Sequence, residues 1–236
     1  MTTTFRIQVL VLAGAIGCAE KPAPQTATTD AAPPATATAT PVGDAATGPG
    51  SVQDRADKAR IQGSETAKVW LVMSSDFQCP YCKQFHDEAY ADIVRDYVNT
   101  GKIRFAYMNH PMPFHQFAVP AAEAAMCAGA QDRFWPMHDA LYATQGVWTK
   151  RPFLPVFDSL AVALKLDVPA WQACMRSHAT RSTIDSDYAK SRQAGVNGTP
   201  SFVIIPGGRM VIEGIAPYRE YKRTLDSALA AAGSGR

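Results

Sequence analysis

Every residue from Val69 to Met73 is apolar, so both faces of this segment call for burial, as in a central parallel strand. Cys82, Phe85, Ala89, Ile93 and Tyr97 follow at steps of three and four. That spacing predicts one face of a long helix, and Gly101 can terminate it. Ile103, Phe105 and Tyr107 then alternate with Arg104, Ala106 and Met108, which predicts a second strand. Strand, helix and strand in this order form a crossover unit.

From about 115 to 194 the pattern is helical throughout. Ala121 to Ala130 is alanine-rich. Phe134, His138, Leu141 and Tyr142 make a second face, Phe157, Leu160, Ala161 and Leu164 a third, and Trp171, Cys174, Met175 and His178 a fourth. A last helix in this stretch carries Ile184 and Tyr188 and closes at Gly195. Ser201–Ile205 and Arg209–Glu213, joined by Pro206-Gly207-Gly208, predict an antiparallel hairpin, and Tyr221, Leu225 and Leu229 a final helix. The fold class is α/β: a small core sheet with an inserted helical segment.

The N-terminal residues are of another kind. Arg6, the apolar run Ile7–Ile16 and Gly17 have the layout of a secretory signal over residues 1–17, too short to span a bilayer as a helix. Ala15-Ile16-Gly17-Cys18 resembles a bacterial lipobox, which predicts a lipid on Cys18; an ordinary signal peptide with an incidental cysteine is the alternative. Residues 18–50, dominated by Ala, Thr and Pro, read as a disordered tether with a reach of roughly 30 Å. The folded domain is then 51–236. Ala19 after the cysteine resembles outer-membrane sorting. The 23 Lys and Arg nearly balance the 21 Asp and Glu, and no basic tract exceeds a pair, so no nucleic-acid partner is expected. No apolar run reaches membrane-spanning length, which leaves the lipid as the one expected membrane contact.

The chemistry is carried by cysteine. Of five, Cys79 and Cys82 stand three apart in Cys79-Pro80-Tyr81-Cys82, between the first strand and its helix. With Cys79 as N-cap, Pro80 falls at the first helical position, where its missing N–H is no loss. The Cys79 sulfur then faces the free N–H groups of the first turn, which favour thiolate. Cys82 lies one turn inward, shielded, placed to resolve a mixed disulfide. A zinc half-site would want a second CxxC; Cys127 and Cys174 are singletons, so no metal is expected. His86 reads either as facing the same groove or as a partly exposed residue of the helix.

A CxxC on a strand-to-helix turn, with Thr199-Pro200 ahead of a later strand, resembles the active-site pair of the thioredoxin fold. The resemblance sharpens in three blocks: Asp76-Phe77-Gln78-Cys79-Pro80-Tyr81-Cys82; Pro120-Ala121-Ala122-Glu123-Ala124-Ala125-Met126-Cys127-Ala128; and Gly195-Val196-Asn197-Gly198-Thr199-Pro200. In their order they are similar to the signature blocks of the DsbA-type disulfide oxidoreductases. The resemblance implies a thioredoxin-like core and Cys79 and Cys82 as the catalytic pair. It implies a cis Pro200 beside them, with Thr199, Pro200, Pro80 and Tyr81 contacting substrate and the Thr199 hydroxyl near the Cys79 sulfur. It also implies cysteine-containing unfolded or folding proteins as partners, a membrane-bound partner that recharges the couple, and no cofactor. Met73 departs from the pattern, which often has a buried acid there. Asp76 is expected to be solvated in its turn.

If Cys18 carries lipid, four cysteines remain, and an oxidising compartment favours a structural disulfide between Cys127 and Cys174; two buried free cysteines are the alternative. The chain therefore reads as a periplasmic or cell-envelope thiol–disulfide oxidoreductase, lipid-anchored to the outer membrane and acting as an oxidant. An isomerase or reductase of the same fold, a metal chaperone using the CxxC, and a non-catalytic binding module are the other readings.

Overall fold

A computed structural model describes residues 50–150, 152–206 and 209–234, all within the unit Val42–Arg236. The signal, Cys18 and nearly all of the tether lie outside the described residues. Two elements precede the first strand read from sequence. Helix α1 (Val52–Ala59) starts at Ser51, whose hydroxyl accepts from the Asp54 N–H, and buries Ala56. Strand β1 (Ile61–Gly63) is only three residues long. Gly63 has φ +103°, and a Cβ there would stand 2.3 Å from the Ile103 carbonyl oxygen, so only glycine fits.

Strand β2 (Val69–Ser75) lies at the centre of a five-stranded sheet of order β1-β3-β2-β4-β5. It runs parallel to β3 (Ile103–Asn109) and antiparallel to β4 (Ser201–Ile205), while β1 and β5 (Arg209–Glu213) close the edges antiparallel. Met73 is in register with Tyr107 on one side and Phe202 on the other, and all three are buried. This explains the unbroken apolar run of β2.

The helix after β2 begins as α2 (Pro80–Phe85) and continues without a break through α3 (Ala91–Ile93), with wider π-type turns at His86–Tyr90 and Val94–Val98. Phe85, Ala89, Ile93 and Tyr97 repeat every fourth residue and are all buried. In a regular helix a four-residue repeat drifts by about 40° per step; the wider turns keep the stripe on the sheet. Gly101, at φ +70°, follows the last turn. Phe85 meets Phe202 of β4 at 4.7 Å and Tyr221 at 5.3 Å between ring centroids, which packs α2 and α10 (Tyr218–Ser234) on the same face.

Between β3 and β4 run α4 (Ala118–Gly129), α5 (Phe134–Ala143), α6 (Gln145–Trp148), α7 (Phe153–Ala163), α8 (Val168–Arg176) and α9 (Arg181–Gln193). Small alanines let α4 sit deep: Ala121, Ala124 and Ala125 are fully buried. A disulfide joins Cys127 of α4 to Cys174 of α8, with Cα atoms 5.8 Å apart. The insertion is tied to the end of α1 by a buried ion pair, Arg60 with Asp187 of α9, and Arg60 also donates to the Tyr107 carbonyl of β3 at 3.0 Å. Asp187 also accepts from the Asn109 side chain at 2.8 Å, so its carboxylate keeps hydrogen bonds away from water.

Candidate active site

The turn from β2 into α2 is built on Asp76. Its carboxylate accepts from the Gln78 N–H at 2.7 Å, and its carbonyl from the Cys79 N–H at 3.1 Å. Two further donors, the Met112 N–H at 2.8 Å and His115 Nδ1 at 2.7 Å, complete the shell. Asp76 is therefore buried, contrary to the solvated position expected from its place in a turn. Three donors converging from two loops make burial affordable for a carboxylate. The hydrogen bond to this carboxylate raises the His115 pKa against the opposing effect of burial, and the proximity of Cys79 adds to the shift.

Cys79 is the N-cap of α2 and Pro80 occupies the first turn. Lys83 N–H donates to the Cys79 carbonyl at 3.2 Å, the first bond of the helix. Both thiols are free and buried. Their environments push them apart. The Cys79 pKa is pulled down to about 6, chiefly by the Cys82 thiol, against the opposing effect of burial; the Thr199 side chain and the N–H groups of Cys82 and Tyr81 add to the lowering. Cys82 is pushed well above the ordinary thiol range by burial and by the neighbouring Cys79 sulfur. One sulfur is poised as thiolate and its neighbour is held as a hydrogen-bonding thiol.

The Thr199–Pro200 peptide is cis, and the Cys79 sulfur lies 3.4 Å from the Thr199 carbonyl oxygen, to which it donates only in its protonated form. Thr199 Oγ1 is buried without a hydrogen-bond partner. Pro80 and Tyr81 lie exposed at the rim, Tyr81 at 59% of its full surface. Phe114 is exposed beside His115.

In place of a buried acid near Cys82 there are hydroxyls. Ser75 shares a 2.9 Å hydrogen bond with Tyr142, whose hydroxyl also donates to the Asp76 carbonyl at 3.4 Å. The Ser75 hydroxyl favours the Cys82 thiolate, in partial opposition to burial.

Sequence reading missed two groups from the insertion. Gln145 of α6 donates through Nε2 to the carbonyls of Phe77 at 2.8 Å and Cys79 at 3.0 Å, clamping the CxxC turn. Tyr142 holds Ser75. A polar residue in a four-residue helix carries no periodic signal, so Gln145 could not be found from spacing. His86 is half-buried one turn after Cys82, against Asp87 and Asp139.

The family model described as Thioredoxin matches residues 55–227. The chain is 33% identical over 149 residues to the Na(+)/H(+) antiporter NhaA 1 of Salinispora arenicola, a match covering 63% of this chain and 22% of the antiporter. It thus spans 22% of the length of that relative and of the NhaA 3 antiporter of Salinispora tropica. It is 24% identical over 177 residues to Disulfide bond formation protein D of Bacillus subtilis, covering 72% of this chain and 76% of that protein. Among solved structures it superposes on oxidised BdbD of Bacillus subtilis with a TM-score of 0.65 and 23% identity, covering 73% of this chain and 94% of that one. With alpha-DsbA1 of Wolbachia pipientis the TM-score is 0.64 at 19% identity, covering 73% and 92% of the two chains.

Proposed function

The chain belongs to the thioredoxin family, and from that premise we propose that it is a protein disulfide oxidoreductase, passing a Cys79–Cys82 disulfide to cysteines of extracytoplasmic proteins. The observation that carries this reading is the placement of two free sulfurs at a helix start, Cys79 at the N-cap of α2 and 3.4 Å from the Thr199 carbonyl, Cys82 one turn inward and buried; their opposed pKa shifts agree with it. A substrate thiolate attacks Cys79 of the disulfide and expels Cys82, leaving a mixed disulfide. A second substrate thiolate then attacks the substrate sulfur of that bond and expels Cys79 as thiolate. The products are a substrate disulfide and a reduced pair, so the electrons balance. Because the helix end stabilises the leaving thiolate, the protein acts as the oxidant. Thr199, Pro200, Pro80 and Tyr81 present backbone and apolar surface to an extended substrate, in the manner of strand addition.

The test is exchange with a reduced, unfolded, cysteine-containing protein. Cys79→Ser should abolish it; with a disulfide-bonded substrate instead, the reduced Cys82→Ser variant should accumulate mixed disulfides at Cys79, because the thiol that would expel the substrate in that reverse direction is gone. Exchange that survives Cys79→Ser refutes the mechanism.

The disulfide between Cys127 and Cys174 supports an oxidising compartment. No helix of the described residues is long and apolar enough to cross a membrane. We place the protein in the cell envelope, lipidated at Cys18 and held at the outer membrane by the 18–50 tether, with a membrane-bound partner reoxidising the pair. Mass spectrometry of the native N-terminus tests the anchor: an unmodified Cys18 refutes it.

A further inference from the structure

Behind the redox helix, one turn beyond Cys82, a cluster of donors is not used by the exchange chemistry. His138 of α5 is almost wholly buried, with Nδ1 2.8 Å from Asp139 Oδ1 and Nε2 without a partner. Its ring stands among those of Tyr142, Trp135 and Tyr107, at 5.0, 5.1 and 5.5 Å between centroids.

His86 approaches the same carboxylate from the opposite side. Its Nε2 is 3.2 Å from Asp139 Oδ1, and its Nδ1 is 3.1 Å from Asp87 Oδ1. A neutral imidazole has one N–H, so with one nitrogen donating, the other sets a lone pair against a carboxylate oxygen. A positive charge belongs in that gap, either a second proton or a cation. The donor atoms of His86, His138 and Asp139 all lie within 4.8 Å of one another. Around a tetrahedral zinc, with bonds of about 2.0–2.2 Å, neighbouring donors stand about 3.3 Å apart. The nitrogen–oxygen separations from Asp139 to His138 and His86, 2.8 and 3.2 Å, need only small adjustments to open to that spacing. Asp139 is 52% exposed and can make them.

We propose that His86, His138 and Asp139 form a binding site for a divalent cation of the zinc class, open to solvent at a fourth position. Asp87 is its outer support: it takes His86 Nδ1–H and so turns Nε2 toward the metal, the carboxylate–histidine–metal arrangement. Lys83, at 2.6 Å, holds Asp87 in turn. The cation ties two parts of the fold together. The His86 N–H donates to the Cys82 carbonyl, so a metal shared with His138 and Asp139 fastens the turn that follows the CxxC to α5 of the insertion. The site is separate from the thiols and does not depend on the exchange reaction.

The experiment uses the protein with its Cys79–Cys82 disulfide closed, so that no thiolate competes for metal. Zinc chloride is titrated calorimetrically at pH 7.5, and cobalt(II) is followed by its visible absorption. The site predicts one equivalent bound, with a rise in thermal midpoint on zinc addition. His86→Gln and Asp139→Asn should each weaken binding, and Asp87→Asn should weaken it about tenfold or more. His138→Gln serves only if its circular dichroism is unchanged; the exposed and half-buried variants carry the test without it. Absence of zinc uptake, or uptake undiminished in both His86→Gln and Asp139→Asn, overturns the proposal and leaves an imidazolium bridging two carboxylates.

Discussion

At the scale of single residues the chemistry comes down to which groups face each sulfur. Cys79 meets a thiol, a threonine side chain and two peptide N–H groups, all favouring thiolate; Cys82 meets burial and a neighbouring sulfur, both disfavouring it. The Cys79 pKa falls from about 8.5 in an unfolded chain to about 6 in the folded one. A depressed pKa adds stability that is fully present above the unfolded value and is lost as pH falls through the folded one. The oxidised protein has no such term. Reduced protein should therefore gain stability over oxidised protein between about pH 6 and pH 8.5, and the gain should vanish below pH 6. Denaturant titrations of both forms across this range measure it; a difference independent of pH would contradict the low Cys79 pKa. Ser75 gives a second prediction. Its hydroxyl is a neutral substitute for the acid that Met73 displaces, and Ser75→Ala removes about 1 kcal/mol of support from the Cys82 thiolate. Mixed disulfides resolved by Cys82 should then persist roughly fivefold longer, as read by quenched-flow alkylation.

Elements decide how firmly those residues are held. The CxxC turn is fixed from the insertion as much as from the sheet, through Gln145 on the carbonyls of Phe77 and Cys79 and through Tyr142 on Ser75. The insertion is braced by the Cys127–Cys174 disulfide, which joins residues 47 apart. Replacing both cysteines by serine should cost on the order of 4 kcal/mol in the chain-entropy model, seen as a lower urea midpoint. Exchange activity of the fraction that remains folded should persist, since neither sulfur touches substrate. An unchanged midpoint would show that the crosslink does not limit unfolding. The helices other than α1 and α6, and β2, β3, β4 and β5, were legible because their apolar spacing is long enough to have a period. Three-residue β1 has none. Helix α1 is charged at half of its eight positions, and the pattern of Ser51 followed three residues later by Asp54 was its one visible start signal. The π-type turns were hidden in plain view, since the four-residue repeat of Phe85, Ala89, Ile93 and Tyr97 was read as ordinary helix.

For the molecule as a whole, the crossover unit, insertion and hairpin assemble as the hydrophobic pattern requires. The structure adds what pattern cannot carry, the meeting of distant polar groups. Asp76 was misread for this reason: its burial depends on Met112 and His115, far along the chain, and nothing local to the turn announces them. Ser75, Tyr142 and Gln145 were invisible for the same reason. Direction of electron flow is a property of this whole arrangement, because every group that favours the Cys79 thiolate favours the reduced pair and makes the disulfide a stronger oxidant. The direct test is the reduction potential of the Cys79–Cys82 couple, by equilibration of the protein with glutathione redox buffers at pH 7. An oxidant requires a value clearly above that of thioredoxin, about −270 mV. A potential at or below about −270 mV would contradict it and make the protein a reductase.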